Sequence, residues 1–195
     1  SVGTAKNPIW IANSANKTAG LDIYGETHIK GVNDGILTLG NVITTKNVSI
    51  SSEGSIAQAE TKVINVPKIT VSATKDITLD NAKNDIGTIT LNGGENIKVN
   101  SLSPKGLTVE GKLQATGDVA ITSDKSLMLN GNIETAKNIS LTAGTNLTSS
   151  KSSVLKSGDN ITLKADDVKL SGKIETPYKE MTSDKVEDVK KFIET

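Results

Sequence analysis

The chain has 195 residues, and its 22 basic residues, all lysine, balance 22 acidic ones, so that the formal net charge is zero. This balance gives no indication of the basic surface expected of a nucleic-acid-binding protein. The absence of cysteine excludes disulfides and thiolate metal sites, the single histidine, His28, excludes a two-histidine metal site, and no stretch reaches the roughly 20 apolar residues that span a bilayer.

Aromatic residues are almost absent from the interior of the chain. The four are Trp10, Tyr24, Tyr178 and Phe192, and none lies between residues 25 and 177. The core therefore has to be filled by valine, isoleucine, leucine and alanine, which is typical of a thin solenoid core. We expect Trp10 and Tyr24 to pack where such a rod needs bulk. The alternative is that either contributes to a glycan site near one end.

Residues 1–75 contain several strand-like segments at uneven spacing. These segments are "LDIYG", "GILTLGNVIT", "NVSIS" and "KVINVPKITVSA". Their β-branched residues, bounded by Gly, Asn and Lys, favour short strands that are joined by turns. The sequence predicts that they form irregular turns of a repeat structure with longer loops.

A repeated strand with an apolar–polar–apolar pattern occurs six times from residue 46 to residue 164, which places one face of each copy in a core. Its first apolar positions are separated by 29, 20, 22, 20 and 22 residues. They are Val48, Ile77, Ile97, Val119, Ile139 and Ile161. We predict that these residues are buried, together with those two places later, namely Ile50, Leu79, Val99, Ile121, Leu141 and Leu163.

Each of the last four repeats contains two further strands. The second set is "GLTVE", "SLMLN", "TNLTS" and "DVKLS", and the third is "GKLQA", "GNIET", "SVLKS" and "GKIET". Three short strands in about 21 residues describe one turn of a three-sided solenoid, in which each strand stacks on its copy one turn later. The sequence therefore predicts an all-β parallel β-helix over residues 1–177, irregular in 1–75 and regular in 76–177.

The C-terminal residues 178–195 differ in kind from the repeats. Ser183 or Asp184 can start a helix, because both are favoured N-cap residues. The apolar residues that follow fall mostly on one helical face: Val186, Val189, Phe192 and Ile193. We predict a short α-helix that caps the last turn or acts as a linker, since an open coil would present free strand edges.

A column of Asn and Asp residues precedes the repeated strand. It consists of Asn47, Asp76, Asn96, Asp118, Asn138 and Asn160. Both residue types tolerate left-handed backbone angles and can bond a nearby backbone amide, so we interpret the column as a structural corner. The alternative is a line of calcium ligands, which is disfavoured because only two of the six residues are charged and the others are Asn.

Five Asn-X-Ser/Thr sequons provide possible glycosylation sites. They lie at Asn16, Asn47, Asn138, Asn146 and Asn160. A corner asparagine followed by an apolar residue and Ser or Thr generates sequons automatically, so the pattern is equally expected without any modification.

Several phrases resemble the degenerate repeats of large β-helical exoproteins of Gram-negative bacteria, of the filamentous haemagglutinin and two-partner secretion type. These phrases are "VGTAKNPIWI", "NVSISSEGSIAQA", "ITLDNAKNDIGTITLNGG" and "KNISLTAGTNLTS". The resemblance covers most of residues 1–177 and implies a right-handed parallel β-helix, secretion through an outer-membrane partner, and a role as an adhesin or its stalk. The family's N-terminal secretion motif of the "NPNL" type is absent, which suggests an internal or distal, monomeric segment of a longer chain.

Parallel β-helices also include polysaccharide lyases and hydrolases, so an enzyme is a real alternative. Glycosidases need two converging carboxylates. Asp166 and Asp167 are adjacent and would point to opposite faces of a strand, and no repeat geometry brings Asp80, Asp85 and Glu95 together. We therefore predict no catalytic residues and no cofactor.

The sequence as a whole predicts a non-catalytic segment of a secreted, cell-surface filamentous adhesin that attaches to a host-cell or matrix receptor. The stalk of a contact-dependent toxin-delivery exoprotein is one alternative, and a β-helical polysaccharide lyase or hydrolase is another. No nucleic-acid partner and no membrane span are expected.

Overall fold

The computed structural model describes residues 3–4, 6–14 and 20–177, and within these ranges the chain forms strands and turns and no helix. The predicted C-terminal helix lies outside the described residues. The first strands are β1 (Ile9–Ala12), β2 (Leu21–Ile23), β3 (Thr27–Val32), β4 (Ile36–Ile43), β5 (Val48–Ser52), β6 (Ser55–Gln58), β7 (Ile64–Ala73), β8 (Ile77–Leu79), β9 (Asp85–Asn92) and β10 (Ile97–Ser101). The later strands are β11 (Leu107–Glu110), β12 (Lys112–Ala115), β13 (Val119–Ser123), β14 (Leu127–Leu129), β15 (Asn132–Thr135), β16 (Ile139–Ala143), β17 (Asn146–Ser149), β18 (Val154–Ser157), β19 (Ile161–Lys164), β20 (Asp167–Leu170) and β21 (Lys173–Glu175).

One side of the solenoid, which we call side A, runs through every turn. Its strands are β1, β3, β5, the second halves of β7 and β9, β11, β14, β17 and β20, all parallel. One inward column of side A is Thr27, Val48, Ile69, Ile89, Val109, Leu129, Ser149 and Leu170. Successive members are 20 or 21 residues apart, which confirms the predicted parallel β-helix, with about 8 turns.

A second side, side B, is also present in every turn and follows side A directly in the early turns. Its inward column is Leu37, Ile56, Ile77, Ile97, Val119, Ile139 and Ile161. Val48 was predicted to begin this column, but it lies on side A, where it pairs with Thr27 and Ile69. With that correction, residues 27–75 keep the same spacing as the later turns, in contrast to the loose spacing expected from the sequence.

The third side changes place along the rod. In the early turns it lies between side B and side A, and we call it side C: Val42 pairs with Ile64, and Val66 pairs with Ile86. In the late turns it is a separate four-stranded sheet, side D, which comes after side A and before side B and consists of β12, β15, β18 and β21. Each turn therefore keeps three sides and about 20 residues. Its third strand lies between side B and side A in the early turns, and between side A and side B in the late turns.

Two devices make this switch possible. The hydroxyl of Ser101 caps the last strand of side C, because it accepts a hydrogen bond from Ile86 N at 3.0 Å and donates one to Ile86 O at 2.9 Å. Beyond that point, Gly93, Gly94, Gly106 and Gly111 all adopt positive φ angles, a conformation that is costly for other residues. A Cβ at Gly111 would also lie 2.8 Å from Thr90 Cγ2, so the bend that leads into side D requires glycine.

The interior of the described rod is a continuous stack of aliphatic side chains. All twelve predicted core residues, from Val48 to Leu163, are buried, which confirms that part of the prediction. Burial of one such side chain stabilises the fold by about 1.5–3 kcal/mol. Parallel strands that repeat with the same residue type bring like side chains together, so the core needs no aromatic bulk.

A buried pair of amide side chains closes the corner between side B and side C. Gln58 Nε2 donates to Asn84 Oδ1 at 2.7 Å, and Asn84 Nδ2 donates to Gln58 Oε1 at 2.9 Å. Asn84 Oδ1 also accepts from Ile64 N at 2.9 Å. These bonds satisfy backbone groups of a wide corner that would otherwise be buried without partners.

Candidate functional site

Five of the six predicted corner residues form a hydrogen-bonded ladder along the axis of the rod. Asp76 Oδ1 accepts from both the backbone N and Nδ2 of Asn96, each at 3.0 Å. Asn96 Oδ1 accepts from Asp118 N at 3.1 Å. Asp118 Oδ1 and Asn138 Oδ1 repeat the double contact with Asn138 and Asn160, respectively, at 2.9–3.2 Å. The ladder uses the oxygen of each side chain to hold the next turn, which is a structural task.

The structure does not bring Asn47 into this ladder, which corrects the grouping made from the sequence. Asn47 precedes Val48 of side A, whereas the other five residues precede strands of side B. In the turn before Asp76, the equivalent position is Ser55. The ladder therefore begins at Asp76.

Hydrogen bonding also perturbs one carboxyl group of the ladder. The side-chain amide and the backbone N–H of Asn138 lower the pKa of Asp118 below its usual value, and the charge of Lys137 acts in the same direction. Burial acts in the opposite direction but is outweighed. The ionised form of Asp118 is therefore the form that the ladder favours.

The sequons fall into two structural groups. Asn138 and Asn160 use their side-chain nitrogen atoms as donors in the ladder. Asn47 and Asn146 are exposed and make no side-chain hydrogen bond with other described residues. Asn16 lies outside the described residues. Glycosylation stays a prediction, and Asn47 and Asn146 offer the least hindered amides for it.

Trp10 and Tyr24 do not supply bulk to the core, so that expectation was wrong. Their side chains are 65% and 66% exposed, and Ile43 is exposed as well. Trp10 lies on the outer surface of side A, where the ammonium of Lys30 stands 4.8 Å from the ring centroid. Tyr24 and Ile43 follow the paired residues Ile23 and Val42, at the start of side C. An exposed apolar patch therefore marks one end of side C.

A groove of about 570 Å³, which we call the side-C groove, continues from this end of side C along the axis of the rod. Thr44 and Thr45 line its first turn, Asn65 the second and Asp85 the third, and residues 103–106 form its far wall. This wall exists because side C ends at Ile86. In the next turn of the rod, residues 103–106 form a tight turn in which Gly106 N donates to Ser103 O at 2.9 Å. The groove is thus a direct product of the switch of the third side.

Three polar side chains of this groove, those of Asn65, Asp85 and Lys105, have no partner among the described residues and are free to bind a ligand. Asn65 pairs in register with Asp85, and neither side chain forms a hydrogen bond or an ion pair with another described residue. Lys105, in the far wall, is exposed and also makes no ion pair within the described part of the chain. The rings of Pro67 and Pro104 supply apolar surface between these groups. Such a mixture of apolar surface with a few convergent polar groups is typical of ligand sites.

A second groove, of about 450 Å³, lies at the corner of sides B and C and differs in this respect. Asn81, in its lining, donates from Nδ2 to Glu60 O at 3.0 Å and to Lys62 O at 2.8 Å. Asp80 is paired with Lys98 at 3.0 Å. Because its polar groups already have partners within the fold, this groove is the weaker candidate for a ligand site.

The predicted catalytic and metal-binding alternatives can be placed on the structure. Asp167 is paired with Lys169 at 3.1 Å, and Asp80 is paired with Lys98 at 3.0 Å. Residues 3–4, 6–14 and 20–177 contain no group of three His, Cys, Asp or Glu side chains placed to hold a metal ion. In the same ranges, no helix is long and apolar enough to cross a membrane.

Comparison with known proteins gives one match, which covers part of the chain. A family model described as repeats of unknown function (DUF5649) matches residues 26–92. No curated protein and no solved structure gives a significant match to the chain. The matched segment comprises the turns in which the third strand is on side C, and it ends at β9, immediately before Gly93. The repeat family and the parallel β-solenoid agree in describing a repeat β-helical protein.

Proposed function

We propose that this chain is a non-catalytic rod of a secreted, cell-surface adhesin, which attaches the cell to a host surface or matrix. The observation that carries the proposal is the unbroken register of side A from Thr27 to Leu170. In such a stack each turn contacts only its neighbours, so length is gained by adding turns. A length that is easily adjusted suits a structure that presents a binding surface away from the cell.

The distribution of charge supports this function over nucleic-acid binding. Four of the eight ion pairs of the described residues join neighbouring turns, such as Lys30 with Glu53 at 2.9 Å and Lys98 with Asp80 at 3.0 Å. Exposed pairs of this kind add little stability. Their effect is to leave an outer surface on which lysines are interleaved with carboxylates, and not a basic stripe.

The side-C groove supports binding without turnover. It contains one carboxylate, that of Asp85, whereas hydrolysis of a glycosidic bond requires an acid and a second carboxylate on opposite sides of the bond. A lyase or hydrolase is the second class to be tested, since the groove itself is of a suitable size for a ligand.

Attachment and turnover can be measured on the same protein. Fluorescent beads coated with the purified chain would be counted on epithelial cells and on matrix-coated glass, with albumin-coated beads as the blank. In parallel, acidic and neutral polysaccharides would be incubated with the protein, with and without calcium, and assayed for new reducing ends and unsaturated products. We expect bead attachment and no new ends.

Each other outcome contradicts the proposal in a different way. Polysaccharide cleavage that disappears in the Asp85→Ala variant would identify an enzyme. Beads that attach no better than the blank would remove the adhesive role and favour the stalk of a toxin-delivery protein. Protease treatment of intact cells that produce the parent protein tests the location, because a surface rod should be cleaved while a cytoplasmic marker is spared.

A further inference from the structure

We propose that the side-C groove binds an extended, neutral, β-linked oligosaccharide laid along the axis of the rod. This inference rests on the proposed adhesive function and names the class of ligand that would be recognised. It starts from the shape of the groove, which is open along the axis and covers four successive turns, from Thr44 to Lys105. Three steps between turns correspond to roughly 15 Å, the scale of a short sugar chain.

The spacing of the turns suits a polymer that repeats along the axis. Stacked strands follow one another at roughly 4.8 Å, which is close to the length of one sugar ring in an extended β-linked chain. Ile43, Asn65 and Asp85 occupy equivalent positions on three successive turns. Successive rings of such a chain would therefore meet successive members of this outward column.

The polar groups of the groove match the chemistry of sugar hydroxyls. A sugar hydroxyl donates one hydrogen bond and accepts others. The Asp85 carboxylate is an acceptor, the Asn65 amide both donates and accepts, and the Thr45 hydroxyl does the same. Asn65 and Thr45 are exposed and Asp85 is partly exposed, and the Asn65 and Asp85 side chains have no competing partner among the described residues. A ligand would not have to break protein hydrogen bonds in order to bind.

Apolar contacts are available on the same line. Pro67 and Pro104 line the groove, and the exposed Ile43, which pairs in register with Asn65, lies next to its first turn. The C–H faces of sugar rings pack on such surfaces.

The charges of the groove favour a neutral ligand. Asp85 and Lys105 are the charged residues in its lining, one of each sign, and the chain has no arginine. A sulfated or carboxylated polysaccharide would need a surplus of positive charge, preferably as arginine. An extended peptide usually binds by adding to a free strand edge, and the groove presents side chains of stacked strands.

The test uses the whole chain and a panel of defined sugars. Cello-, xylo-, manno- and chito-oligosaccharides of matched length would be titrated against the protein by calorimetry, together with a heparin oligosaccharide and an unstructured peptide. Binding would be mapped by amide chemical shifts in ¹⁵N-labelled protein. We expect at least one neutral sugar to bind, with shifts confined to the groove around Asn65, Asp85 and Lys105.

Variants with matched controls establish whether the groove is responsible. Asn65→Ala and Asp85→Ala should each weaken binding by about tenfold, the effect of losing one hydrogen bond. Asn130→Ala and Asp166→Ala, which alter exposed residues elsewhere on the rod, should leave the affinity unchanged. Thermal melting of every variant separates a loss of binding from a loss of folding.

The possible failures are distinct from those of the adhesin proposal. No binding of any neutral sugar, shifts outside the groove, or tighter binding of heparin or of the peptide would each overturn the inference. If coated beads still attach to cells when these sugars do not bind, the adhesive function stands and the glycan ligand falls. If the sugars bind in the groove but beads do not attach, the site stands and the adhesive function falls.

Discussion

Asparagine and aspartate are interchangeable acceptors in the corner ladder. Each member uses Oδ1 to accept from the backbone N of the next member, as Asn96 does from Asp118 and Asp118 does from Asn138. Asparagine adds a second bond, because its Nδ2 donates to the oxygen of the member before it. Because the oxygen makes the bond that both residue types share, the column tolerates both asparagine and aspartate. Asp76 is the first member and has no preceding member to donate to, so it needs no side-chain donor.

Replacement of Asn138 by leucine should weaken the ladder on both sides. The variant loses the bond to Asp118 Oδ1 and the acceptor for the backbone N and Nδ2 of Asn160. Because Asn138 is half-buried, we expect a loss of about 1–2 kcal/mol in the free energy of unfolding, measured by urea denaturation. The control is Asn130→Leu, at an exposed asparagine outside the ladder. Equal stability of the two variants would show that the ladder does not contribute to the free energy of unfolding.

The lowered pKa of Asp118 predicts a contribution to stability that depends on pH. A carboxyl group whose pKa is lower in the folded state stabilises the fold above its unfolded pKa, and the contribution is lost as the pH falls through the folded pKa. We therefore expect the melting temperature of the wild type to fall in the acid range, below the usual pKa of an aspartate.

The Asp118→Asn variant provides the comparison for this effect. An asparagine at this position keeps the acceptor for Asn138 and can donate to Asn96 Oδ1, but it does not titrate. Its melting temperature should lack the part of the acid decline that comes from residue 118. Parallel curves for the two proteins from neutral to acid pH would contradict this assignment.

The switch from side C to side D depends on how one strand ends. The hydroxyl of Ser101 accepts a hydrogen bond from the N–H of Ile86 and donates one to its C=O. These two backbone groups therefore do not need a further side-C strand as a partner. Ser101 pairs in register with Ser123, and Ser123 pairs with Ala143 in the following turn. Once side C has ended, alanine is accepted at the equivalent position.

Ser101→Ala should therefore be costly although a later turn carries alanine naturally. Two buried backbone groups of Ile86 would lose their partner, and we expect a loss of about 1–3 kcal/mol in the free energy of unfolding, measured by denaturation. Ser123→Ala, which removes a single bond to Ser126 O, should cost less. A larger effect at Ser123 would mean that the cap on Ile86 is not what stabilises the switch.

The late turns could be predicted from the sequence almost strand by strand, because three near-copies repeat there without change of frame. The early turns could not, because sides A and B carry the same apolar–polar–apolar pattern. Val48 and Ile77 are 29 residues apart, a separation that no whole number of turns of about 20 residues produces. Ile69, 21 residues after Val48, is its true successor. The pattern alone does not distinguish two sides that are both half-buried.

The groove illustrates a second limit of the sequence. Asn65 and Asp85 are ordinary polar residues in a strand and have no motif around them. They become neighbours only when the frame of side C is known, since 20 residues then separate stacked positions. The far wall also depends on the end of side C, which Gly93, Gly94 and Gly106 could have indicated as a break in the repeat.

At the scale of the whole molecule, the fold is a stack in which one turn can be removed without disturbing the frame. Deletion of residues 139–160 takes out β16, β17 and β18 and lets Ile161 pair with Val119. Because stability is close to a sum over neighbouring turns, we expect this variant to fold, with a loss of about 1–3 kcal/mol. Circular dichroism and urea denaturation measure both properties.

A partial deletion is the control for this prediction. Removal of residues 139–149 alone would leave β18 directly after β15, so that two strands of side D would follow each other without the strands of sides B and A between them, and the inward residues would lose their columns. This shorter deletion should prevent folding although fewer residues are lost. If both deletions fold equally well, the turn is not the unit of the structure.

The axial direction of the hydrogen bonds has a mechanical consequence. A pull on the two ends of the rod loads the bonds between turns along their own direction, and it acts first on the outermost turn because inner turns are held on both sides. The rod should therefore yield one turn at a time at low force, and each turn of about 20 residues would lengthen the tether by roughly 60 Å. In a force-extension trace this gives a regular series of small steps. In the proposed adhesive role, the rod would absorb a sudden load by unfolding turn by turn before the attachment fails.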